Sequence, residues 1–391
     1  MVSLSRARPI ASLFTERRKP LPDVIMFVLM AALLALGVLM VYSATFVRLE
    51  EETGDATEAM RRQLIFAAVA LIAFVATSMI DYREYRNLLP FMYVAVLVGL
   101  TVVLFMPPRS GASRWIPLWS FQLQPSEFAK VGIIVVLAGV LAPAREEGMR
   151  WARLGLGLGV VALPSILIYR QPDLGTMLAV SFLTIALLFA AGTTFRQLLV
   201  LVSGGVGAVL VVWQQGWLKA YQINRVAGFL DQGSDLQGVN YNLNQSQIAI
   251  GSGQLFGRGL FEGTQTRLSF VPAQTTDFIF TTIGEQMGFI GGATVIGIYA
   301  LLIWRVLMIA NGASDRFGSL IAVGVAAFLS FHIFINIGMT IGVAPVTGLP
   351  LPFVSAGGSA MISMAASLGI VNAIWRGRSP VPGREYVPAR R

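Results

Sequence analysis

Cysteine is missing from all 391 residues and histidine occurs once, at His332. Disulfides and thiolate metal sites are therefore excluded, and a His-rich metal cluster or a Ser-His-Asp triad has almost nothing to be built from. Charge is scarce as well. Asp, Glu, Lys and Arg make up 13% of the chain against 55% hydrophobic residues, where a soluble domain carries about 25% charged residues. One water-soluble core cannot absorb that apolar excess, so lipid has to, and a soluble globular enzyme is excluded. The sequence holds no P-loop, no GxGxxG after a strand, no internal repeat and no low-complexity tract. The SxxK-like string from Ser126 to Lys130 has one residue too many for a penicillin-binding serine site. Any chemistry has to run on carboxylates, Lys, Arg and backbone groups.

What is present is a series of ten apolar stretches, near 24–47, 63–80, 88–106, 126–142, 152–169, 174–195, 197–217, 278–310, 319–343 and 353–375. Each is close to the roughly 20 residues that a helical bilayer crossing needs. They predict an all-α polytopic membrane protein with a long loop, 218–277, between spans seven and eight. The first stretch is too long for a signal-peptide core and no small-residue cleavage site follows it, so it is expected to stay attached. Orientation follows from Lys and Arg, which cytoplasmic loops retain. Eighteen of the 29 basic residues fall on the side of the two chain ends and ten on the other, with Lys130 set aside as intramembrane. Residues 1–22 and 377–391 are thus expected to be cytoplasmic tails, 23–376 the membrane domain, and 218–277 an outer loop. Spans one to three carry few intramembrane charges and no broken helices recur in two halves, which gives no support to an inverted-repeat transporter.

The outer loop is rich in amides, among them Asn224, Gln237, Asn240, Gln245 and Gln265, interleaved with Trp217, Tyr221, Phe229 and Tyr241. Amides suit sugar hydroxyls, and an ordinary solvated loop with interfacial helices has the same composition. Glu127 and Lys130 lie three residues apart on one face at the start of span four. They are either a self-neutralising ion pair or part of a water-filled cavity. Asp277 opens span eight in TTDFIF and Glu285 follows about 12 Å along the axis and roughly 80° around it, so the two carboxylates can share one cavity. An acidic residue at a helix start also suits the helix dipole, and Asp173 in QPDLGT has the same two readings. The segment GVAPVTGLPLPFVSAGGS, Gly342 to Ser359, sets prolines and glycines at membrane depth, which predicts a re-entrant loop before span ten. His332, with Asn336 four residues on, reads as a hydrogen-bonded interhelical residue. Gly288, Gly291, Gly292, Gly318 and Gly324 let another helix approach closely, either one of this chain's own or a partner's.

On its motifs the chain resembles the SEDS family of shape, elongation, division and sporulation proteins, which includes RodA, FtsW and SpoVE. The matching residues are Asp23, Tyr42-Ser43, SRWIPLWSFQLQPSEFAK (Ser113 to Lys130), QPDLGT (Gln171 to Thr176), YQINRVAGFLD (Tyr221 to Asp231), QSQIAIGSGQLFGRG (Gln245 to Gly259), GTQTRLSFVPAQTTDFIFTTIGEQMGFIGG (Gly263 to Gly292) and the Pro-Gly signature. GTQT and QPDLGT point to the RodA branch. The resemblance implies a peptidoglycan glycosyltransferase that polymerises lipid II at the outer face of the bacterial cytoplasmic membrane, in cell-shape and cell-cycle work. Asp277 matches the family's TDFIF aspartate and is the implied general base. Lys130, Arg225, Arg258 and Arg114 are the implied pyrophosphate contacts, or a divalent cation (Mg or Mn) bridges phosphate and Asp277. Glu127, Asp173 and Glu285 are the implied cavity residues. The expected partners are lipid II, a class B penicillin-binding protein and other elongation-complex membrane proteins, with no nucleic acid. A lipid II flippase is the alternative, and it needs polar lining through the full bilayer. The chain departs from the family at Ala273-Gln274-Thr275, where Glu-x-His is usual, and at Gln286 for Glu, His332 for Gln and Ala356 for Tyr.

Overall fold

The computed structural model describes residues 22–377 apart from 109–112, 119–120, 144–148, 217–219, 234–237, 239 and 269. The two basic tails expected to be cytoplasmic lie almost wholly outside these residues. Seven helices are long and apolar enough to cross a membrane: Val24–Thr53 (span one), Glu58–Met79 (two), Trp151–Arg170 (five), Phe195–Gln214 (seven), Ile279–Asn311 (eight), Arg316–Ile341 (nine) and Gly358–Arg376 (ten). Two shorter apolar helices, Leu89–Phe105 (three) and Leu174–Ala190 (six), and the helix Pro125–Leu141 (four) occupy the remaining three predicted positions.

Helix starts follow capping chemistry. Asp23 accepts from Met26 N at 2.9 Å, Asp173 from Thr176 N at 3.1 Å and Asp315 from Gly318 N at 2.8 Å, while Thr194 and Gln197 form a reciprocal capping box. Each cap satisfies a donor that the first helical turn leaves open. Spans nine and ten are the most enclosed and span seven is nearly bare. Span ten packs on span two, span eight on span nine, and span three on span four.

Three features re-shape this bundle at the end that carries the long loop. First, span eight breaks at Gly288, whose φ is 65°, and a Cβ there would lie 2.3 Å from Gly257 N. The loop fills the break: Phe289 N donates to Gln254 O at 2.8 Å, Ile290 N to Leu255 O at 3.1 Å, and Gly259 N to Gln286 O at 3.1 Å. Second, the loop is itself helical, with Ala220–Leu230, Tyr241–Gly253 and Thr264–Arg267. Ser246 anchors the middle helix to spans eight and nine, 2.5 Å from Thr281 Oγ1 and donating to Thr340 O at 2.8 Å. Third, residues 342–357 run non-helically between spans nine and ten, with Leu349, Leu351, Phe353 and Val354 buried. Irregular backbone is stable at that depth because protein surrounds it.

The expected helical membrane fold holds, with one small addition: Ile116–Leu118 pairs antiparallel with Phe121–Leu123, and the Phe121 ring lies tilted against Phe66 of span two at 5.5 Å. Strand pairing satisfies backbone groups that the short link between spans three and four cannot place in a helix. The small residues of spans eight and nine are also occupied from within the chain. A Cβ at Gly324 would strike the Ile134 side chain at 2.6 Å, one at Gly318 the Tyr82 ring at 2.9 Å, and one at Gly291 Met287 at 2.1 Å. These glycines serve internal packing and supply no argument for a partner helix.

Candidate active site

A cavity of about 700 Å³ opens at the loop end of the bundle, and Arg114, Glu127, Asp173, Arg225 and Asp277 all face it. They come from five segments spread over 164 residues of the chain. Arg48 and Arg62 also line it. The sequence reading missed these two, since they flank an acidic loop and look like ordinary loop charges. Arg62 Nη2 stands 3.4 Å from Glu58 and Arg48 Nε 4.0 Å from Glu52, both exposed pairs of the kind that contributes little to stability.

Asp277 is fixed by its backbone. Ala273, in the left-handed region at φ 53°, offers one carbonyl to Thr276 N at 3.1 Å, Asp277 N at 3.0 Å and Phe278 N at 3.3 Å. The re-entrant segment then clasps this turn. Ala356 N donates to Thr275 O at 2.8 Å, Ser355 Oγ to Thr276 O at 2.5 Å, and Asn336 Nδ2 to both Asp277 O and Leu349 O at 2.8 Å each. The departures at Ala273, Thr275 and Ala356 therefore act through main-chain atoms that any residue supplies. Gly348, at φ 79°, comes so close that a Cβ on it would lie 3.3 Å from Asp277 Oδ2. The carboxyl is half-buried at the cavity wall. Loss of bulk water raises it above its ordinary value, while a Thr276 hydrogen bond and the charges of Arg225 and Arg114 pull it down. A carboxylate shifted upward is a better proton acceptor near neutral pH than a free one.

Both guanidinium groups are tethered. Arg225 projects from Ala220–Leu230, whose other face exposes Ile223, Val226 and Leu230, and its Nη1 donates to Thr347 O at 3.2 Å. Arg114 donates from Nε to Gln171 O at 3.0 Å and from Nη2 to Pro172 O, with Nη1 3.9 Å from Asp173. Asp173 caps span six through Thr176 and accepts from Gln124 Nε2 at 3.4 Å. Asp173 thus both caps a helix and faces the cavity.

Three expected site residues are placed elsewhere. Lys130 is fully buried behind Glu127, its Nζ 2.7 Å from Glu127 Oε1 and 3.0 Å from His332 Nε2; one helical turn deeper than Glu127, it does not reach the wall. Glu285 does not share the cavity with Asp277. It turns toward the loop, accepting Gln265 N at 2.8 Å, Thr266 N at 2.9 Å and Thr266 Oγ1 at 2.5 Å, because the short helix Thr264–Arg267 presents its open N–H groups there. Arg258 sits on the exposed loop, bonded to Ser252 O and Oγ, and is absent from the lining. Gln286 is likewise remote from the cavity, its Oε1 accepting from Ser43 Oγ at 2.7 Å.

A divalent cation would meet few protein ligands here: among the described residues no three of His, Asp and Glu are grouped to hold one. The donor set at Asp277, one carboxylate with guanidinium neighbours, is poor in the oxygen ligands that a Mg or Mn ion takes from protein. It does not fit a resident metal.

Fold and site together define a multi-pass membrane protein with a polar, charge-bearing cavity at one end of its helix bundle. The chain belongs to the cell cycle protein family of FtsW, RodA and SpoVE, whose model matches residues 23–379. A probable peptidoglycan glycosyltransferase FtsW from Trichlorobacter lovleyi is 36% identical over 93% of this chain and 96% of its own length. The peptidoglycan glycosyltransferase MrdB of Escherichia coli is also 36% identical, over 90% and 93%, and stage V sporulation protein E of Bacillus subtilis is 34% identical over 90% and 97%. Among solved structures, a chain of a peptidoglycan synthase complex that coordinates polymerization and crosslinking matches with a TM-score of 0.75 at 30% identity, covering 92% of this chain and 99% of that one. The rod shape determining protein RodA of Thermus thermophilus matches with 0.68 at 28%, covering 91% and 97%.

Proposed function

We infer that the chain is a peptidoglycan glycosyltransferase that polymerises lipid II at the outer face of the bacterial cytoplasmic membrane, with both tails cytoplasmic. The observation that carries this reading is Asp277, a carboxyl at the wall of a cavity to which Arg114 and Arg225 contribute fixed positive charge. An acceptor sugar hydroxyl attacks the anomeric carbon of the donor. The bond from that carbon to the pyrophosphate breaks, and its electron pair leaves with undecaprenyl pyrophosphate. Asp277 accepts the hydroxyl proton as the new glycosidic bond forms. Arg225 and Arg114, already oriented by backbone carbonyls, face the negative charge that develops on the departing group. Asp173 and Glu127 line the same cavity. A Mg or Mn ion, where the pyrophosphate brings one, would add charge neutralisation beside Asp277; no step above depends on it.

We assign the chain to the elongation machinery, with a class B penicillin-binding protein and further elongation-complex membrane proteins as partners, on the strength of its QPDLGT and GTQT motifs. The test uses purified full-length chain with fluorescent lipid II, with and without a class B partner whose transpeptidase serine is disabled, resolved by gel. Glycan ladders that disappear in Asp277→Asn are expected. Ladders of unchanged length and rate from a monodisperse Asp277→Asn variant would remove Asp277 from the chemistry. Translocation of lipid II in vesicles without any ladder would favour the flippase alternative.

A further inference from the structure

The mechanism above leaves one buried polar chain unused. An ammonium group can only donate hydrogen bonds, so the 3.0 Å contact between Lys130 Nζ and His332 Nε2 makes Nε2 the lone-pair nitrogen. The ring proton then sits on Nδ1, which faces Pro350 O at 3.3 Å. On its other side Lys130 donates to Glu127 Oε1 at 2.7 Å. Phe328 closes the pocket, its ring 4.8 Å from the imidazole, edge to face, and 5.0 Å from the ammonium. The result is a continuous relay from Pro350 in the re-entrant segment, through His332 and Lys130, to Glu127. Pro350 and Glu127, its two ends, both line the cavity.

The Glu127 end of this relay is unsatisfied. Glu127 is 2% exposed, and its second oxygen, Oε2, has no hydrogen-bond partner among the described residues. A buried carboxylate oxygen without a donor is costly, and because Glu127 lines the cavity, a small side-chain movement toward it would give this oxygen a donor on whatever enters. The arrangement also explains how histidine stands where the family usually carries glutamine. Glutamine can accept from Lys130 through its amide oxygen and donate to Pro350 O through its amide nitrogen, the same two bonds with the same polarity.

We propose that His332 is a positioning residue: it registers Lys130 against the re-entrant segment, and so fixes where Glu127 stands at the cavity lining for a hydroxyl or amide N–H of the sugar substrate. The proposal rests on the glycosyltransferase reading for its substrate, while the relay itself stands on the distances. Two substitutions separate shape from hydrogen bonding. His332→Phe keeps an aromatic ring against Phe328 and removes both bonds; His332→Gln restores both bonds without the ring.

In ladder assays with the full chain and its partner, His332→Phe should lower kcat by about 100-fold, the effect of a misplaced contact in a reacting complex. His332→Gln should stay within about three-fold of the parent. Two results would overturn the proposal: a monodisperse Phe variant as fast as the parent, or a Gln variant as slow as the Phe variant, which would make ring packing the cause. Thermal unfolding gives a readout independent of turnover. His332→Phe and Lys130→Met should be non-additive in Tm, since they break one relay, and additive shifts would refute it. A parent chain that makes no ladders while the unfolding cycle is coupled would sink the glycosyltransferase reading and leave the relay in place.

Discussion

Asn336 and Asp277 stand 59 residues apart in the chain and are joined by a bond from the Asn336 amide nitrogen to the Asp277 carbonyl, 2.8 Å long. The same nitrogen donates at 2.8 Å to Leu349 O, so one fully buried amide holds the Asp277 turn and the re-entrant segment in register. Two carbonyl acceptors on one side require the NH2 group there, which fixes the orientation of the amide.

Replacing Asn336 by Leu keeps the volume and strands both carbonyls. It should cost about 2 kcal/mol, within the range for buried groups that lose their partner, and ladder synthesis should fall more than thermal stability does. Full polymerase activity in an Asn336→Leu variant would mean that Asp277 keeps its place without this clamp.

Asp277 also makes a pH-dependent prediction. Burial raises its carboxyl above 3.8, so over a window above that value the folded chain holds a proton that the unfolded chain has released. Stability from this group is present at low pH and is lost as pH rises through the window, which makes the ionised carboxylate a cost at pH 7. Asp277→Asn should therefore raise Tm at pH 7, and the difference should shrink toward pH 4. A lower Tm for the variant at pH 7 would contradict this assignment of charge and burial.

The ion pair of Glu127 and Lys130 separates stability from chemistry. Both side chains are buried, so Lys130→Met leaves a carboxylate without its cation, a change that costs about 3 kcal/mol. Glu127→Gln added to Lys130→Met should recover most of that loss yet remain inactive. Recovery of ladders along with Tm in the double variant would reduce the pair to a structural role.

Gly348 and Gly342 offer a matched comparison. Both are left-handed, at φ 79° and 85°, so Ala at either position pays about 1–2 kcal/mol of backbone strain. Only Gly348 faces Asp277, with a would-be Cβ 3.3 Å from Oδ2; Gly342 meets Gln247 and Gln232. Gly348→Ala should reduce polymerisation by about ten-fold, equivalent to roughly 1.4 kcal/mol on the barrier, while Gly342→Ala loses stability and keeps its rate. Equal rates in the two variants would show that the close approach to Asp277 has no catalytic consequence.

The apolar runs determined the ten helices and their approximate ends, because a bilayer leaves a twenty-residue apolar run no other way to satisfy its backbone. Motif order likewise marked Asp277, Glu127, Asp173 and Arg225 as chemistry-bearing, and the Pro-Gly stretch 342–359 as irregular backbone at membrane depth. Which charges share a cavity was decided only by tertiary structure. Glu285 and Asp277 lie close in sequence and helical phase, yet Glu285 is captured by the N–H groups of 265–266, while Arg48 and Arg62 arrive at the cavity from spans one and two. Asn336 could not be recognised as the clamp on Asp277, since its two acceptors are main-chain carbonyls, and any residue type presents the same oxygen. The direction in which a side chain points depends on what other segments bring to it, and that information appears only when the helices have packed.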